Sequence, residues 1–113
     1  MCGISGFIKK NNNLFDGKEI LTKFIEKLSH RGPNSYGQWI SDDSRIGLAH
    51  TRLSIQDLSF NGNQPMISSN KRYVITFNGE IYNHLKIKKK LINSNINWRS
   101  NSDTETLLES ISA

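Results

Sequence analysis

The chain predicts an α+β fold with a mainly antiparallel sheet, and two patterns carry that prediction. Short runs with the two-residue polarity period of strands are joined by polar turns, so strands pair with their neighbours. Segments with helical spacing flank these runs instead of alternating with them one for one, so the helices cover the sheet. With 113 residues, the chain is one domain at most. A chain of that size buries roughly 65% of its unfolded surface.

Gly3 to Lys9 reads as the first strand, with Ile4, Gly6 and Ile8 on one face and Ser5 and Phe7 on the other. Asp16 is placed to cap a helix running to Ser29. Ile20, Phe24 and Leu28 recur at helical spacing there, with Leu21 and Ile25 beside them. His30-Arg31-Gly32-Pro33-Asn34-Ser35 is a loop by its Gly-Pro step. Gln38–Ser41 and Arg45–Ile55 read as strands joined by the turn Asp42-Asp43-Ser44. Asp57–Gln64 is a loop rich in Asn and Gly, and Tyr73–Phe77 is a strand by its β-branched and aromatic content. Asn78-Gly79 ends that strand, and a helix follows from Ile81 to Ile92. Ser102 or Asp103 caps a last helix, whose apolar face is Leu107, Leu108 and Ile111.

Composition excludes several classes. The N-terminal segment lacks the basic and apolar regions of a signal peptide, and no apolar run approaches the ~20 residues of a spanning helix. No membrane partner is expected. Cys2 is the only cysteine, so no internal disulfide forms, and a reducing, cytoplasmic location is the simple reading. One cysteine and three scattered histidines lack metal-ligand spacing, so no metal site is expected. No Gly-Lys-Ser/Thr phosphate loop is present, so no cofactor is expected in this chain. The net charge of +5 concentrates at Lys86, Lys88, Lys89 and Lys90. A basic nucleic-acid-binding domain is one reading of that run. A solvated helix face fits better, because no interleaved aromatics accompany the lysines.

The chemistry starts at Cys2, directly behind Met1. Removal of Met1 would leave a thiol and a free α-amine on one residue. In model peptides the amine titrates near ~7.7–8.0 and a thiol near ~8.5, so near neutral pH an α-amine can take a neighbouring thiol's proton. That is a nucleophile with a built-in base. Position alone favours a plainer reading, a buried small hydrophobe that happens to be second.

Five segments change that balance. Cys2-Gly3-Ile4-Ser5-Gly6, His30-Arg31-Gly32-Pro33, His50-Thr51-Arg52-Leu53-Ser54-Ile55, Phe77-Asn78-Gly79-Glu80-Ile81-Tyr82-Asn83 and Ser102-Asp103-Thr104-Glu105 follow in that order. Together they resemble the glutaminase domain of class II glutamine amidotransferases, in the version carried by glutamine-hydrolysing asparagine synthetases. Branches that make glucosamine phosphate or phosphoribosylamine usually carry an aromatic after the arginine and a His before the Asn-Gly. Here Leu53-Ser54-Ile55 and Phe77 stand in those places. The resemblance spans nearly the whole chain.

It implies an N-terminal-nucleophile (Ntn) hydrolase that converts glutamine to glutamate and ammonia through a Cys2 thioester. Asn78 and Gly79 would form the oxyanion hole, from the Asn side-chain amide and the Gly backbone N–H. Alone, that step fits an ordinary hairpin turn. Glutamine presents an α-carboxylate and an α-ammonium. Arg52 offers a planar fork for the first, and Asp103, with Glu80, suits the second. By resemblance, the backbone of Leu53, Ser54 and Ile55 lines the same pocket. The structural alternatives are a surface strand residue for Arg52, a helix cap for Asp103 and a complement to the helix dipole for Glu80. His30 and His50 are expected to be structural, because the α-amine already supplies the base, and His84 to be solvent-exposed.

The resemblance also implies an αββα sandwich, of which residues 1–113 hold an incomplete, N-terminal part. Further strands and a synthetase domain follow in the family. ATP and Mg belong to that absent domain, which would use the ammonia to make asparagine from aspartate. A C-terminal remainder or a synthetase domain is therefore the expected partner, with a homo-oligomer as an alternative. The rival functional reading is a non-catalytic remnant or glutamine-binding module.

Overall fold

The computed structural model describes residues 2–10, 16–53 and 62–113. Helices and strands mix, in the order β1 (Gly3–Ile8), α1 (Gly17–Leu28), β2 (Ser35–Ile40), β3 (Ile46–Arg52), β4 (Met66–Ile67), β5 (Val74–Ile75), α2 (His84–Lys90) and α3 (Asp103–Ser112). The first three strands form an antiparallel sheet in the order β1-β3-β2, and β4 and β5 form a separate hairpin. Gly3 lies opposite Thr51 and Ile8 opposite Ile46, while Ser35 lies opposite Arg52.

Strand register divides the larger sheet into two faces. Phe7, Ala49 and Ile40 point to one face and pack with Leu21, Phe24 and Ile25 of α1. The Phe7 ring lies over Gly47, where a Cβ would strike it. Asp16 caps α1 through its Oδ1, which accepts from the N–H groups of Lys18 (3.0 Å) and Glu19 (3.4 Å). Leu21 and Ile25 form the centre of the buried stripe, while Ile20, Phe24 and Leu28 flank it half-buried. The sequence pattern placed that centre one residue too early, because helical spacing alone does not say which side of a wide stripe meets the sheet.

The opposite face carries Gly37 and His50, which lie directly across from each other in β2 and β3. The chain around Gln64-Pro65 passes over Gly37, where a Cβ would collide with the Gln64 carbonyl. His50 Nε2 lies 3.3 Å from the Phe77 carbonyl. The segments that lead into β4 and out of β5 therefore lie against this second face.

Several elements differ from the sequence reading. The strand expected at Tyr73–Phe77 pairs only over Val74–Ile75, with Met66–Ile67 as a partner that the sequence pattern did not reveal. A two-residue strand is too short for its alternation to register. The helix expected at Ile81–Ile92 is regular only over His84–Lys90. Its Lys88 Nζ donates to the Ser100 carbonyl at 3.2 Å and lies 4.6 Å from the Trp98 ring centre, so that lysine is bound into the fold. The described part of the third strand ends at Arg52. Ser54, Ile55 and most of the loop Asp57–Gln64 lie outside the described residues. His84 is half-buried, not solvent-exposed.

Helix α3 departs most from expectation. Ser102 is its cap, accepting from the Thr104 N–H at 3.0 Å. Of the expected apolar face, Leu108 is buried, Leu107 is half-buried and Ile111 is exposed, and Thr104, Glu105, Thr106 and Glu109 are buried beside Leu108. The two carboxylates are used as acceptors. Glu105 takes the N–H groups of Arg99 (2.9 Å) and Ser100 (2.8 Å), the Ser100 hydroxyl (2.8 Å) and Arg99 Nε (3.4 Å). Glu109 takes the Ser69 N–H (2.6 Å) and hydroxyl (2.9 Å). The helix thus fastens two loops through charge-assisted hydrogen bonds.

Candidate active site

Strand β1 begins one residue after Cys2, and its pairing sets where the thiol lies. The Gly3 N–H donates to Thr51 Oγ1 at 3.1 Å, and that hydroxyl donates to the Leu28 carbonyl at the end of α1, also at 3.1 Å. Arg31 Nε donates to the Cys2 carbonyl at 3.4 Å. The thiol thereby reaches the end of β3. There the Leu53 N–H donates to Cys2 Sγ at 3.3 Å, and Sγ lies 3.6 Å from the Leu53 carbonyl oxygen. Cys2 is half-buried.

The thiol lines a cleft of ≈ 320 Å³, within the range of small-molecule sites. Cys2, Arg52 and Leu53 form one part of its wall, and Asn78, Gly79 and Glu80 form another. Asp103 completes the set. Every described residue singled out from the sequence as a site residue therefore meets in this one cleft. Ser54 and Ile55 lie outside the described residues.

Each wall has a local cause. Arg52 is the last residue of β3, held by the Asn34 N–H, which donates to its carbonyl at 2.9 Å. Its Nη1 donates to Asn63 Oδ1 at 2.7 Å. Asp103 starts α3, and its Oδ2 accepts the Ile81 N–H at 2.8 Å. It therefore orders the segment after Gly79 and also lines the cleft. Asn78, Gly79 and Glu80 are exposed at the cleft, just past the β5 ladder.

Sequence reasoning missed Gly62, Gln64, Phe77, Ser102 and Thr104, which also line the cleft. Gln64 sits in a polar loop with no periodic signal. Ser102 and Thr104 belong to the quoted segment 102–105, in which Asp103 alone is read as a ligand-facing residue. His50 is buried, as a structural histidine should be, yet it also forms cleft wall. Burial pulls its pKa down to about 4, and the charge of Arg52 adds to this against the Phe77 carbonyl. His30 is exposed and is absent from the cleft lining.

Chemically, the cleft combines a thiol, an Asn-Gly step, one guanidinium and two carboxylates. Such a set suits a zwitterion that carries an electrophilic carbon some bonds away from its charged end. Among the described residues, no group of three or more His, Cys, Asp or Glu is placed to hold a metal ion. No described helix is long and apolar enough to cross a membrane.

A family model described as a glutamine amidotransferase domain matches residues 1–113. The amidase chry2 of Gibberella zeae is 35% identical, over 96% of this chain and 17% of its own length. Asparagine synthetase [glutamine-hydrolyzing] 1 of Bacillus subtilis is 36% identical over 96% of this chain and 17% of its own length. A putative asparagine synthetase [glutamine-hydrolyzing] 2 of Methanocaldococcus jannaschii is 36% identical, covering 96% and 23% respectively. The chain thus spans a sixth to a quarter of the length of these relatives.

Proposed function

The chain belongs to the glutamine amidotransferase domain family, and from that premise we propose that it hydrolyses the side-chain amide of glutamine through Cys2. The observation that carries this reading is the convergence of Cys2, Arg52, Asn78, Gly79 and Asp103 on one cleft. Arg52 pairs with the α-carboxylate of glutamine, and Asp103, with Glu80, holds the α-ammonium. This leaves the amide carbon toward Cys2 Sγ.

Once Met1 is removed, the α-amine of Cys2 takes the thiol proton, and Sγ attacks the amide carbon. The carbonyl oxygen becomes an oxyanion, which accepts from the Asn78 side-chain amide and the Gly79 N–H. One such donor is worth about 2.7–4 kcal/mol in a transition state. The α-ammonium returns the proton to the leaving nitrogen, the C–N bond breaks, and ammonia departs from a thioester. Water then adds to the thioester carbon, glutamate leaves, and the thiol regains its proton.

The layer order supports an Ntn-hydrolase-type αββα arrangement. Helix α1 covers one face of the larger sheet, and the segments that bound the β4–β5 hairpin lie on the other. Helix α3 contacts β5. We further propose that residues 1–113 are a partial glutaminase domain. Its ammonia serves a synthetase domain of the kind named in the asparagine synthetase relatives, and ATP and Mg act only there. A C-terminal remainder is the partner.

The test is the intact mass of the purified chain, an electrophilic glutamine analogue, and ammonia release from glutamine. The analogue is expected to label Cys2 only in chains that lack Met1, and Cys2→Ser should abolish ammonia release. Labelling with Met1 still attached would overturn the α-amine's role. Processed chain that neither labels nor releases ammonia would favour a glutamine-binding module.

A further inference from the structure

We propose that Gln64 and His50 are positioning residues that set the Asn78-Gly79 step by holding the peptide groups on both sides of Phe77. The proposal rests on the glutaminase reading and adds to it the machinery that aims the oxyanion donors.

The β5 ladder ends at Ile75, paired with Met66. Strand hydrogen bonds therefore do not reach the residues that matter, and side chains take over. The Phe77 N–H donates to Gln64 Oε1 at 2.6 Å. Gln64 Nε2 donates to Thr104 Oγ1 at 3.2 Å, and both residues are buried. Flipping the Gln64 amide would set a donor against the Phe77 N–H, so its orientation is determined. The Phe77 carbonyl faces His50 Nε2 at 3.3 Å. A carbonyl only accepts, so Nε2 carries the proton and the neutral ring leaves Nδ1 as an acceptor. Nδ1 is buried and has no hydrogen-bond partner among the described residues.

An orphaned buried acceptor is unfavourable, and an apolar residue on β3 would avoid it. The bond to Phe77 is what His50 contributes in return. Beyond the step, Asp103 holds the Ile81 N–H. Asn78, Gly79 and Glu80 are therefore strung between peptide groups at Phe77 and Ile81 that side chains from β3, the segment before β4 and α3 hold in place. Gly37 makes the clamp possible. It lies opposite His50 and lets the Gln64 backbone pass over β2.

The test compares the 113-residue chain with Gln64→Met, His50→Leu and His50→Gln. The readouts are glutamine kcat and KM, together with amide hydrogen exchange. Gln64→Met and His50→Leu are expected to lower kcat by about ten- to a hundredfold, as a small misplacement of a catalytic group does. KM should change little. Exchange should rise at Asn78 and Gly79 while the α1 amides keep their protection. His50→Gln, which offers an amide N–H in place of Nε2–H, should recover much of kcat. Unchanged kcat in Gln64→Met and His50→Leu would overturn the proposal, as would a fall in kcat that tracks lost protection throughout α1. If Gln64→Met does not fold, Thr104→Val removes the far anchor of Gln64 with little change in shape, and the same criteria apply. If wild-type chain that lacks Met1 releases no ammonia, the kinetic arm of the comparison falls away. Exchange at Asn78 and Gly79 then decides the clamp by itself: unchanged rates in the variants overturn it, and raised rates sustain it.

Discussion

Asp103 meets two demands at once, and they can be separated. Its Oδ2 accepts the Ile81 N–H, and it brings a negative charge to the cleft wall. Asp103→Asn keeps a carbonyl oxygen for Ile81 and removes the charge. Glutamine KM should rise by about ten- to a hundredfold, the worth of a hydrogen bond to a charged group, with kcat nearly kept. Asp103→Ala removes both and should lower kcat as well. On the proposed glutaminase reading, Asn78→Ala should do the reverse of Asp103→Asn, lowering kcat with little change in KM, because an oxyanion donor's contact strengthens in the transition state. Steady-state kinetics of the three variants checks the division. His50 adds a pH dependence to stability. Burial and Arg52 hold its folded pKa at about 4, against ~6.5 in an unfolded chain. Between these values the unfolded chain binds more protons, so the His50 contribution is present above pH ~6.5 and is lost as the pH falls toward 4. Carboxylates titrate nearby, so the measurement is the difference in denaturation midpoint between wild type and His50→Gln across that window. The difference should shrink or reverse at the acid end.

At the scale of elements, α3 behaves as a fastener more than as a core helix. Glu105 is fully buried and takes two backbone N–H groups and the Ser100 hydroxyl. Arg99, which donates to Glu105 through Nε, also reaches the Ile67 carbonyl through Nη2. The helix therefore couples the 99–100 segment to the β4–β5 hairpin, and through Asp103 to the segment after Gly79. Glu105→Ala would strand these donors. The expected cost is about 3 kcal/mol, from donors left without an acceptor. The exposed Glu26→Ala in α1 should stay within about 0.5 kcal/mol. Equilibrium denaturation of both variants is the comparison, and similar losses would mean that the α3 carboxylates do not fasten these loops.

Across the whole molecule, the second face of the larger sheet is unevenly covered. Gln64-Pro65 and Phe77 lie over its Gly37 and His50 region, but Ile4, Ile46 and Ile8 on the same face are 48%, 40% and 81% exposed. Among the described residues, strands β1 and β2 are both sheet edges. Exposed apolar side chains beside open edges favour association. The chain is expected to self-associate as its concentration rises, and Ile8→Lys should weaken that association without altering α1 packing on the opposite face. Sedimentation velocity over a concentration series measures both. A wild-type chain that stays monomeric at high concentration would show that this surface does not drive association.

Local chemistry made much of this protein legible from its residues alone. The cap at Asp16, the stripe of α1, the turn at Asp42-Asp43-Ser44 and the alternation of β1 follow from short-range rules. The candidate site residues were legible because Cys2, Arg52, Asn78-Gly79 and Asp103 stand in segments whose order is itself informative. Tertiary structure alone decided that these segments share one cleft, since sheet register and the path of the chain over Gly37 bring them together. It also decided that α3 buries two carboxylates beside the expected Leu108 while Ile111 stays exposed, because the donors they serve lie 5 to 40 residues away in the chain. The same holds for the clamp on Phe77. Gln64 and His50 are 13 and 27 residues from it, and neither has a local pattern to mark its role. Hydrogen bonds across such separations depend on where the backbone travels, and no periodicity along the chain encodes that.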